Sequence, residues 1–363
     1  MRFLYVIGTR PNIVKMAPVL AALRRRVPDA KHVLVHTGQH YDWALSGVIL
    51  RDLRVPTPDY FLEVGSDSLS AQTARAMERL EPVLAREQPD LVLVPGDVNS
   101  TLAAALVCAH SQIPYAHVES GLRSLDRTMP EEVNRIVTDS LADLLFVHCR
   151  EAVDNLLREG IDADRIHLVG NTMIDSLVTL RRRIRANAAA QRLGVVPGRY
   201  LLVTLHRPSL VDGPLLLDVL DRLDALAREL PVVFPVHPRT RKMLGGRAPA
   251  RVRLTEPLGY VDFLSLQANA AAVLTDSGGV QEETTFLRIP CFTLRNNTER
   301  AVTVREGTNT LLGVDPERID GILPALATRN GSMQRALPEL WDGRAAERIA
   351  DVLVPARAEA VPA

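Results

Sequence analysis

The sequence of 363 residues contains only three cysteines, which argues against a fold held together by disulfides. Cys108, Cys149 and Cys291 lie far apart, so no pair has the spacing of a zinc finger or of a redox motif. Each one lies in an apolar stretch, where a cysteine usually serves as a small buried hydrophobic residue. The sequence therefore gives no sign of a cysteine-based metal or redox site.

The sequence also lacks an excess of charge of either sign and any long hydrophobic run. Lysine plus arginine and aspartate plus glutamate number 43 each, so nothing favours binding to nucleic acid or to an anionic membrane. The longest apolar runs fall well short of the roughly 20 residues of a membrane helix. No signal peptide precedes the first strand-like run, and we expect a cytoplasmic protein.

Nucleotide and metal motifs of the common kinds are missing. Neither a Walker loop nor a G-x-G-x-x-G sequence occurs, which argues against a redox dinucleotide. His32, His36 and His40 are spaced like ligands on one helix face, but the surrounding pattern is a strand and then a loop. We therefore expect neither a cofactor nor a bound metal.

What the sequence does contain is a repeated alternation of short apolar runs and longer amphipathic segments, which predicts parallel sheets covered by helices. Strands are predicted at 3–7, 32–36, 90–94, 114–118, 144–148, 201–205, 232–236, 272–275 and 291–294. The fold class is therefore α/β, with two Rossmann-like doubly wound domains at 1–172 and 173–339. A last helix at about 340–354 is expected to pack back on the first domain, and the tail at 355–363 is expected to fray. In such a fold the ligand lies at the carboxyl ends of the strands, in the cleft between the domains.

The first predicted strand ends in the turn at 8–11, and a helix follows it. Backbone amides at the start of a helix suit a diphosphate, and Arg10 and Lys15 add positive charge there. Three carboxylates, Asp97, Glu119 and Glu131, follow neighbouring strands. Taken singly, each has a structural interpretation as a helix cap or as a partner of the helix dipole. Together they favour acid–base chemistry at one rim of the cleft.

In the second domain, His206 and His237 each follow a predicted strand. A single histidine is more often structural, but two at successive strand ends favour a ligand-binding or catalytic role. The segment 275–283 runs from a strand through Ser-Gly-Gly into a helix, which suits a phosphate, and Glu283 lies one turn further on, where it can accept both ribose hydroxyls. Arg300 lies in a polar segment expected to face the same cleft.

These motifs, in this order, resemble the non-hydrolysing UDP-N-acetylglucosamine 2-epimerase family over essentially the whole chain. The sequences that carry the resemblance are GTRPNIVKMAPV from Gly8, TGQH from Thr37, GDVNSTL from Gly96, HVESGLRS from His117, PEEVNR from Pro130, GNTMID from Gly170, TLHRP from Thr204, PVHP from Pro235, TDSGGVQEE from Thr275 and NTER from Asn297. The resemblance implies a glycosyltransferase-B-like fold, a homodimer and a UDP-sugar substrate.

The resemblance also implies roles for particular residues. It assigns catalysis to Asp97, Glu119, Glu131 and His206, and places UDP on Arg10, Ser277, Gly278, Gly279 and Glu283, with the uracil near Phe263. The same sequences bring Lys15, Arg135, Arg207, His237 and Arg300 into the candidate substrate-binding set.

The chemistry implied is reversible epimerisation at C2 of the sugar without oxidation. C2 carries an N-acetyl group, so a nicotinamide cannot oxidise it. Its proton becomes removable once the C1–O bond to UDP breaks, which gives a glycal to which UDP adds back. Two acid–base groups on opposite faces explain the need for several carboxylates, and which of them serves which face stays open.

Several alternatives also stay open. A hydrolysing relative would release free N-acetylmannosamine and UDP, a glycosyltransferase would need an acceptor, and a sensor would bind without turnover. The chain departs from the usual family pattern at four places. It has Pro-Ser at 208–209 where the family often has Arg-Glu, and Ala-Val at 301–302 where the family usually has Pro-Glu. It also has Asn296 where an acid is common, and Asp42 where an allosteric site commonly uses glutamine. These departures leave the identity of the sugar and activation by substrate open.

Overall fold

The computed structural model describes residues 1–38, 43–246, 249–328 and 336–354, apart from the side chains at 43–46, 208–209 and 238–239. The predictions for His40, for Asp42 and for the tail at 355–363 lie outside the described residues. The chain divides into two compact units, Met1–Thr179 with the chain from Glu339 onward, and Leu180–Pro338. The division falls between Thr179 and Leu180, within the helix Thr172–Ala186.

The first unit is built on a parallel sheet of seven strands in the order β3-β2-β1-β4-β5-β6-β7. The strands are β1 Arg2–Ile7, β2 Lys31–His36, β3 Tyr60–Phe61, β4 Leu91–Pro95, β5 Tyr115–Val118, β6 Leu144–Val147 and β7 Ile166–Leu168. The helices are α1 Arg10–Arg26, α2 Trp43–Asp52, α3 Leu69–Glu87, α4 Asn99–His110, α5 Pro130–Leu141, α6 Arg150–Arg158 and α7 Thr172–Ala186, with a 3-10 turn at Ala163–Arg165. The side chains of β4 and β5 are buried almost throughout, as expected for a sheet covered on both faces.

The second unit repeats the plan with six parallel strands in the order β10-β9-β8-β11-β12-β13. The strands are β8 Leu201–Thr204, β9 Val232–Pro235, β10 Arg253–Thr255, β11 Ala272–Thr275, β12 Cys291–Thr293 and β13 Asn309–Leu311. The helices are α8 Ala189–Arg192, α9 Pro208–Val211, α10 Leu215–Leu226, α11 Pro238–Leu244, α12 Tyr260–Ala268, α13 Gly278–Leu287, α14 Ala301–Arg305 and α15 Ile322–Thr328, with a 3-10 turn at Pro316–Gly321.

The C-terminal helix α16, Ala345–Leu353, belongs to the first unit and packs against α1. Its first turn is held by Asp175, whose carboxylate accepts hydrogen bonds from the backbone amides of Ala345 and Ala346 at 3.1 and 2.7 Å. Just before it, the buried Trp341 donates from Nε1 to the carbonyl of His148 at 2.9 Å. These hydrogen bonds fix the helix on its unit, and the negative charge of Asp175 at the helix start also interacts favourably with the helix dipole.

Both sheets reverse their strand order beside the first strand of the unit, between β1 and β4 and between β8 and β11. The predicted doubly wound α/β class is thereby confirmed. Ligands of such sheets bind beyond the carboxyl ends of the strands at this reversal, which directs attention to the residues that follow β1, β4, β8 and β11. Among the described residues, no helix is both long enough and apolar enough to cross a membrane.

Candidate active site

The turn after β1 packs closely against the residues that follow β4. Asn12 Oδ1 accepts from the amides of Gly8 and Thr9 at 3.1 Å each, and its Nδ2 donates to the carbonyl of Pro95 at 3.0 Å. A Cβ on Gly8 would lie 2.2 Å from Ser100 Oγ, so only glycine fits there. Arg10 follows as the first residue of α1 and is half-buried.

Asp97 follows β4 and is oriented by two neighbours on α5. Arg135 Nη1 pairs with Asp97 Oδ2, and Asn134 Nδ2 donates to the carbonyl of Asp97 at 2.9 Å. The Arg135 side chain is only 1% exposed, while that of Asp97 is 19% exposed. The structure therefore places Arg135, a predicted substrate-binding residue, as the buried counter-charge of a partly accessible carboxylate.

Glu119 follows β5 and pairs with Lys15 of α1. Lys15 Nζ lies 2.7 Å from Glu119 Oε1, and both side chains are about 5% exposed or less. The φ angle of Glu119 is +70°, in the left-handed region, which costs a residue other than glycine on the order of 1–2 kcal/mol. Strain of this kind is retained where a functional side chain must point in one direction. A Cβ on Gly96 would lie 2.8 Å from Lys15 Nζ, so the turn that carries Asp97 and the Lys15–Glu119 pair are neighbours.

The two glutamates at the start of α5 have different surroundings. Glu132 is buried, accepts from the amides of Ser124 and Leu125 at 2.9 Å each, and lies 2.6 Å from Arg135 Nη2. Burial raises the pKa of Glu132, but these hydrogen bonds and the guanidinium outweigh it, and the net pKa is lowered. Glu131 is half-buried and makes no hydrogen bond or ion pair within the described part of the chain. Glu132 therefore holds the loop, whereas no such contact holds Glu131 within the described part of the chain.

In the second unit, His206 follows β8 and is held by a buried aspartate. His206 Nδ1 lies 2.9 Å from Asp276 Oδ1, and Asp276 Oδ2 accepts from the amides of His206 and Arg207 at 2.8 and 2.7 Å. Burial raises the pKa of Asp276, but the histidine and the two amides lower it below its usual value. The His206 side chain is 43% exposed, so the aspartate orients an accessible imidazole. The ring of His237, which follows β9, lies 6.4 Å from it between centroids.

The Ser-Gly-Gly turn joins β11 to α13. Ser277 is the N-cap of α13, but its hydroxyl makes no capping hydrogen bond, and its amide donates to Thr275 Oγ1 at 3.0 Å. Gly278 and Gly279 form the first turn of the helix, where backbone amides have no partner within the helix. A helix start of this kind binds a phosphate through those amides and through the dipole.

Arg300 lies directly behind this turn, because a Cβ on Gly278 would come within 2.3 Å of its Nη1. Its guanidinium is buried and pairs with Glu282 at 3.1 Å and with Glu299, which also binds Arg295 at 2.7 Å. A buried network of paired charges of this kind fixes side chains firmly. Arg300 therefore supports the turn from behind.

Glu283 lies one turn into α13 and is buried without a cation as a direct partner among the described residues. Tyr260 Oη donates to Glu283 Oε1 at 2.8 Å, and the amide of Gln267 donates to Oε2 at 3.0 Å. Burial, with a smaller contribution from the neighbouring Glu282, raises the pKa of Glu283 to about 7. Phe263, on the same helix as Tyr260, is half-buried against the core of the unit.

Sequence reasoning identified these strand-end residues but missed the partners that orient them. Asp276 was part of the recognised Ser-Gly-Gly segment, yet its task of holding His206 could not be inferred before the two strands were known to be neighbours. The available signal was an aspartate directly after a buried strand, beside a strand that ends in histidine.

The comparison with known families agrees with this geometry. A protein-family model described as UDP-N-acetylglucosamine 2-epimerase matches residues 22–354. The chain belongs to the UDP-N-acetylglucosamine 2-epimerase family. The resemblance seen in the motifs is thereby confirmed.

Family members with named activities cover nearly the whole chain. A UDP-N-acetylglucosamine 2-epimerase from Methanocaldococcus jannaschii is 37% identical over 97% of this chain and 99% of its own length. A UDP-2,3-diacetamido-2,3-dideoxy-D-glucuronate 2-epimerase from Pseudomonas aeruginosa is 38% identical, with the same coverage of 97% and 99%. A crystal structure of the M. jannaschii UDP-N-acetylglucosamine 2-epimerase with UDP-N-acetylglucosamine and UDP has a TM-score of 0.88 at 36% identity, over 97% of this chain and 99% of that one. The family thus contains epimerases of more than one UDP-sugar.

Proposed function

We propose that this chain interconverts UDP-N-acetylglucosamine and UDP-N-acetylmannosamine, or a closely related pair of UDP-2-acetamido sugars, by elimination and re-addition of UDP. The observation that carries the proposal is the pair of carboxylates in the first unit, each with a buried cation as its partner: Asp97 with Arg135, and Glu119 with Lys15. A carboxylate fixed in this way can take up a proton as a general base and return it as a general acid.

In the first step the C1–O bond breaks, and its electron pair leaves with the diphosphate. The groups that we assign to this negative charge are the amides of Gly278 and Gly279, the Ser277 hydroxyl and the Arg10 guanidinium. Donors fixed before the reaction stabilise developing charge without reorganisation, which is usually the largest contribution to catalysis. His206, held by Asp276, supplies a further donor or proton.

In the second step a carboxylate takes the C2 proton, and the C–H electron pair forms the C1–C2 double bond of a glycal. The products of the two steps are therefore UDP and a 2-acetamidoglycal, with no change in oxidation state. In the return step the electron pair of the C1–C2 double bond takes a proton from a second, protonated carboxyl group on the opposite face of C2, and the diphosphate oxygen of UDP bonds to C1, which gives the epimer. We assign the two faces to two members of the set Asp97, Glu119 and Glu131.

The remaining assignments concern the nucleotide and the assembly. We propose that Glu283 accepts the ribose hydroxyls and that the uracil lies near Phe263, with Arg207 and His237 close to the sugar diphosphate. Arg300 serves the same site indirectly, by supporting the turn from behind. The reaction as written requires no cofactor. The family resemblance leads us to propose a homodimer, which sedimentation equilibrium tests.

The decisive experiment is proton NMR of purified protein in deuterated water with UDP-N-acetylglucosamine and, separately, with UDP-2,3-diacetamido-2,3-dideoxy-D-glucuronate. Loss of the C2 proton together with a manno epimer still attached to UDP is expected for one of them. Release of free N-acetylmannosamine would indicate the hydrolysing relative. Absence of exchange at C2 with both sugars would contradict the proposal.

Two variants test the proton-transfer groups. Asp97→Asn and Glu119→Gln keep the shape of the side chain but remove the base, and both are expected to lose turnover while they still bind UDP. Glu229→Gln makes the same kind of change at an exposed glutamate and is expected to retain activity. Near-normal turnover of both Asp97→Asn and Glu119→Gln would remove these residues from the mechanism.

A further inference from the structure

A fully buried histidine connects the segments that carry the candidate catalytic carboxylates. His117 lies on β5, two residues before Glu119, and its side chain is 0% exposed. Its Nε2 lies 2.7 Å from the carbonyl oxygen of Gly96, the residue directly before Asp97. Its Nδ1 lies 2.6 Å from Asp139 Oδ1, on the same helix as Glu131.

Both partners of this imidazole are hydrogen-bond acceptors. The carbonyl of Gly96 can only accept. Asp139 Oδ2 accepts from the amide of Gly121 at 3.0 Å and from Arg123 Nη1 at 2.7 Å. Burial raises the pKa of Asp139, but His117 and Arg123 outweigh it and hold the pKa below its usual value, so Asp139 is a carboxylate. Both nitrogens of His117 therefore act as donors, which requires the doubly protonated imidazolium.

The surrounding charges compensate one another. The Asp139 carboxylate lies between the His117 imidazolium and the Arg123 guanidinium. Arg123 also makes a two-pronged contact with Glu159, at 2.7 and 2.6 Å. Two cations thus alternate with two anions, and a buried charge is tolerated when it is paired and hydrogen-bonded in this way.

The hydrogen bonds of His117 and Asp139 hold backbone segments that have unusual conformations. The amide of Gly96 still pairs with Val118, but its carbonyl points to the His117 side chain, in a turn where Gly96 has a φ of +67°. Glu119 has a positive φ as well, and two residues later the amide of Gly121 is held by Asp139. A strained conformation persists only where its surroundings determine it fully.

We propose that His117, as an imidazolium bound to Asp139, is a positioning residue that holds the Asp97 turn and the Glu119 turn in their reactive geometry. It is fully buried, so it acts through the backbone beside the two carboxylates. The proposal rests on the proposed epimerase function. Displacement of a catalytic group by about 1 Å costs on the order of 100-fold in rate, which sets the expected effect.

The test compares His117→Gln and Asp139→Asn with His167→Gln, a matched change of a half-buried histidine on β7 of the same sheet. Glutamine can donate toward Gly96 or toward Asp139, but it cannot bridge the two. We expect kcat to fall about 100-fold in His117→Gln while KM and the Kd of UDP change less than about threefold. His167→Gln is expected to keep the values of the unmodified protein.

Two measurements need no turnover. Nitrogen-15 NMR of the unmodified protein is expected to show both His117 ring nitrogens protonated, because both face acceptors, and only one of them protonated in Asp139→Asn. Amide hydrogen exchange in the peptide 95–99 is expected to speed up at least about tenfold in His117→Gln and not in His167→Gln.

The outcomes separate this proposal from the proposed function. If the unmodified protein turns over neither sugar, the function is wrong, while ring protonation and exchange still decide whether His117 holds the turn. A neutral His117 ring in the unmodified protein overturns the inference. Unchanged exchange at 95–99, or a kcat within about threefold of normal in folded His117→Gln and Asp139→Asn, overturns it as well.

Discussion

Lowering the pH from 8 to 6 is expected to weaken binding of UDP-N-acetylglucosamine, because Glu283 gains a proton in the empty site. Its pKa is raised to about 7, mainly by burial, and no cation among the described residues pairs with it. A carboxylate that accepts two ribose hydroxyls must be ionised, so a proton on Glu283 competes with the nucleotide.

The magnitude follows from the titration of one group. With a pKa of about 7, Glu283 is roughly 90% ionised at pH 8 and roughly 10% ionised at pH 6, so the Kd rises about tenfold between these values. The same shift affects stability. Because the pKa in the folded state lies above the ordinary value of 4.5, the folded state binds the extra proton. The free energy of unfolding therefore falls as the pH rises from 4.5 to about 7, by on the order of 3 kcal/mol from this group.

The assay is titration calorimetry at several pH values with the Glu119→Gln variant, which is expected not to turn the substrate over. UDP-N-acetylglucosamine is preferred to UDP, because the terminal phosphate of UDP itself titrates near pH 6. Measurements in two buffers with different ionisation enthalpies count the protons released. We expect about 0.9 proton at pH 6 and about 0.1 at pH 8.

Glu283→Gln serves as the control. It removes the titrating group, so binding is expected to be weaker at pH 8 but independent of pH. Its melting temperature at pH 8 is expected to rise, because an ionised buried carboxylate has been replaced by a neutral amide. A flat Kd between pH 6 and pH 8 in the parent protein, with no proton release, would refute the assignment of Glu283 as the ribose ligand.

Three further changes test other contacts. Asp276→Asn is expected to lower kcat about 100-fold or more in the NMR assay with little effect on the Kd of UDP, because His206 loses its orienting carboxylate; an unchanged kcat would contradict that role. Lys15→Met leaves a buried carboxylate without its cation and is expected to lower the free energy of unfolding by about 3–5 kcal/mol in urea titrations. The same change at an exposed lysine is not expected to have this effect. Gly278→Ala places a Cβ 2.3 Å from a buried guanidinium and is expected to weaken UDP binding at least about tenfold, whereas Gly213→Ala, with nothing within 4 Å, is expected to bind normally.

The central strands could be predicted from sequence, and the edge strands could not. All nine predicted strands are present, with ends displaced by a residue or so, because continuous apolar runs are typical of strands buried on both faces. The four strands that were missed, β3, β7, β10 and β13, lie at the edges of the two sheets. They have two or three residues each and are partly exposed, so no run of hydrophobic residues marks them.

The positions of the candidate site residues could be predicted from sequence only as far as the order of the strands determines them. Asp97, Glu119 and His206 were predicted to follow strands, where doubly wound sheets carry functional groups, and each of them does follow a strand. The pairing of cations with these carboxylates could not be predicted, because the Lys15–Glu119 pair joins residues 104 positions apart. Both Lys15 and Arg135 were expected to bind the substrate. Their observed ion pairs depend on the packing of α1 and α5 against the sheet, which motifs do not reveal.

The two groups of carboxylates differ in one respect that bears on kinetics. Asp97 and Glu119 each have a cation as a direct partner, whereas the partners of the Glu283 carboxylate among the described residues are Tyr260 and Gln267, and its pKa is raised. A proton therefore competes with the nucleotide at Glu283. Between pH 8 and pH 6, KM should consequently rise while kcat changes little, since saturating substrate displaces the proton from Glu283. A kcat that falls in parallel with kcat/KM over this range would place the titrating group among the catalytic residues.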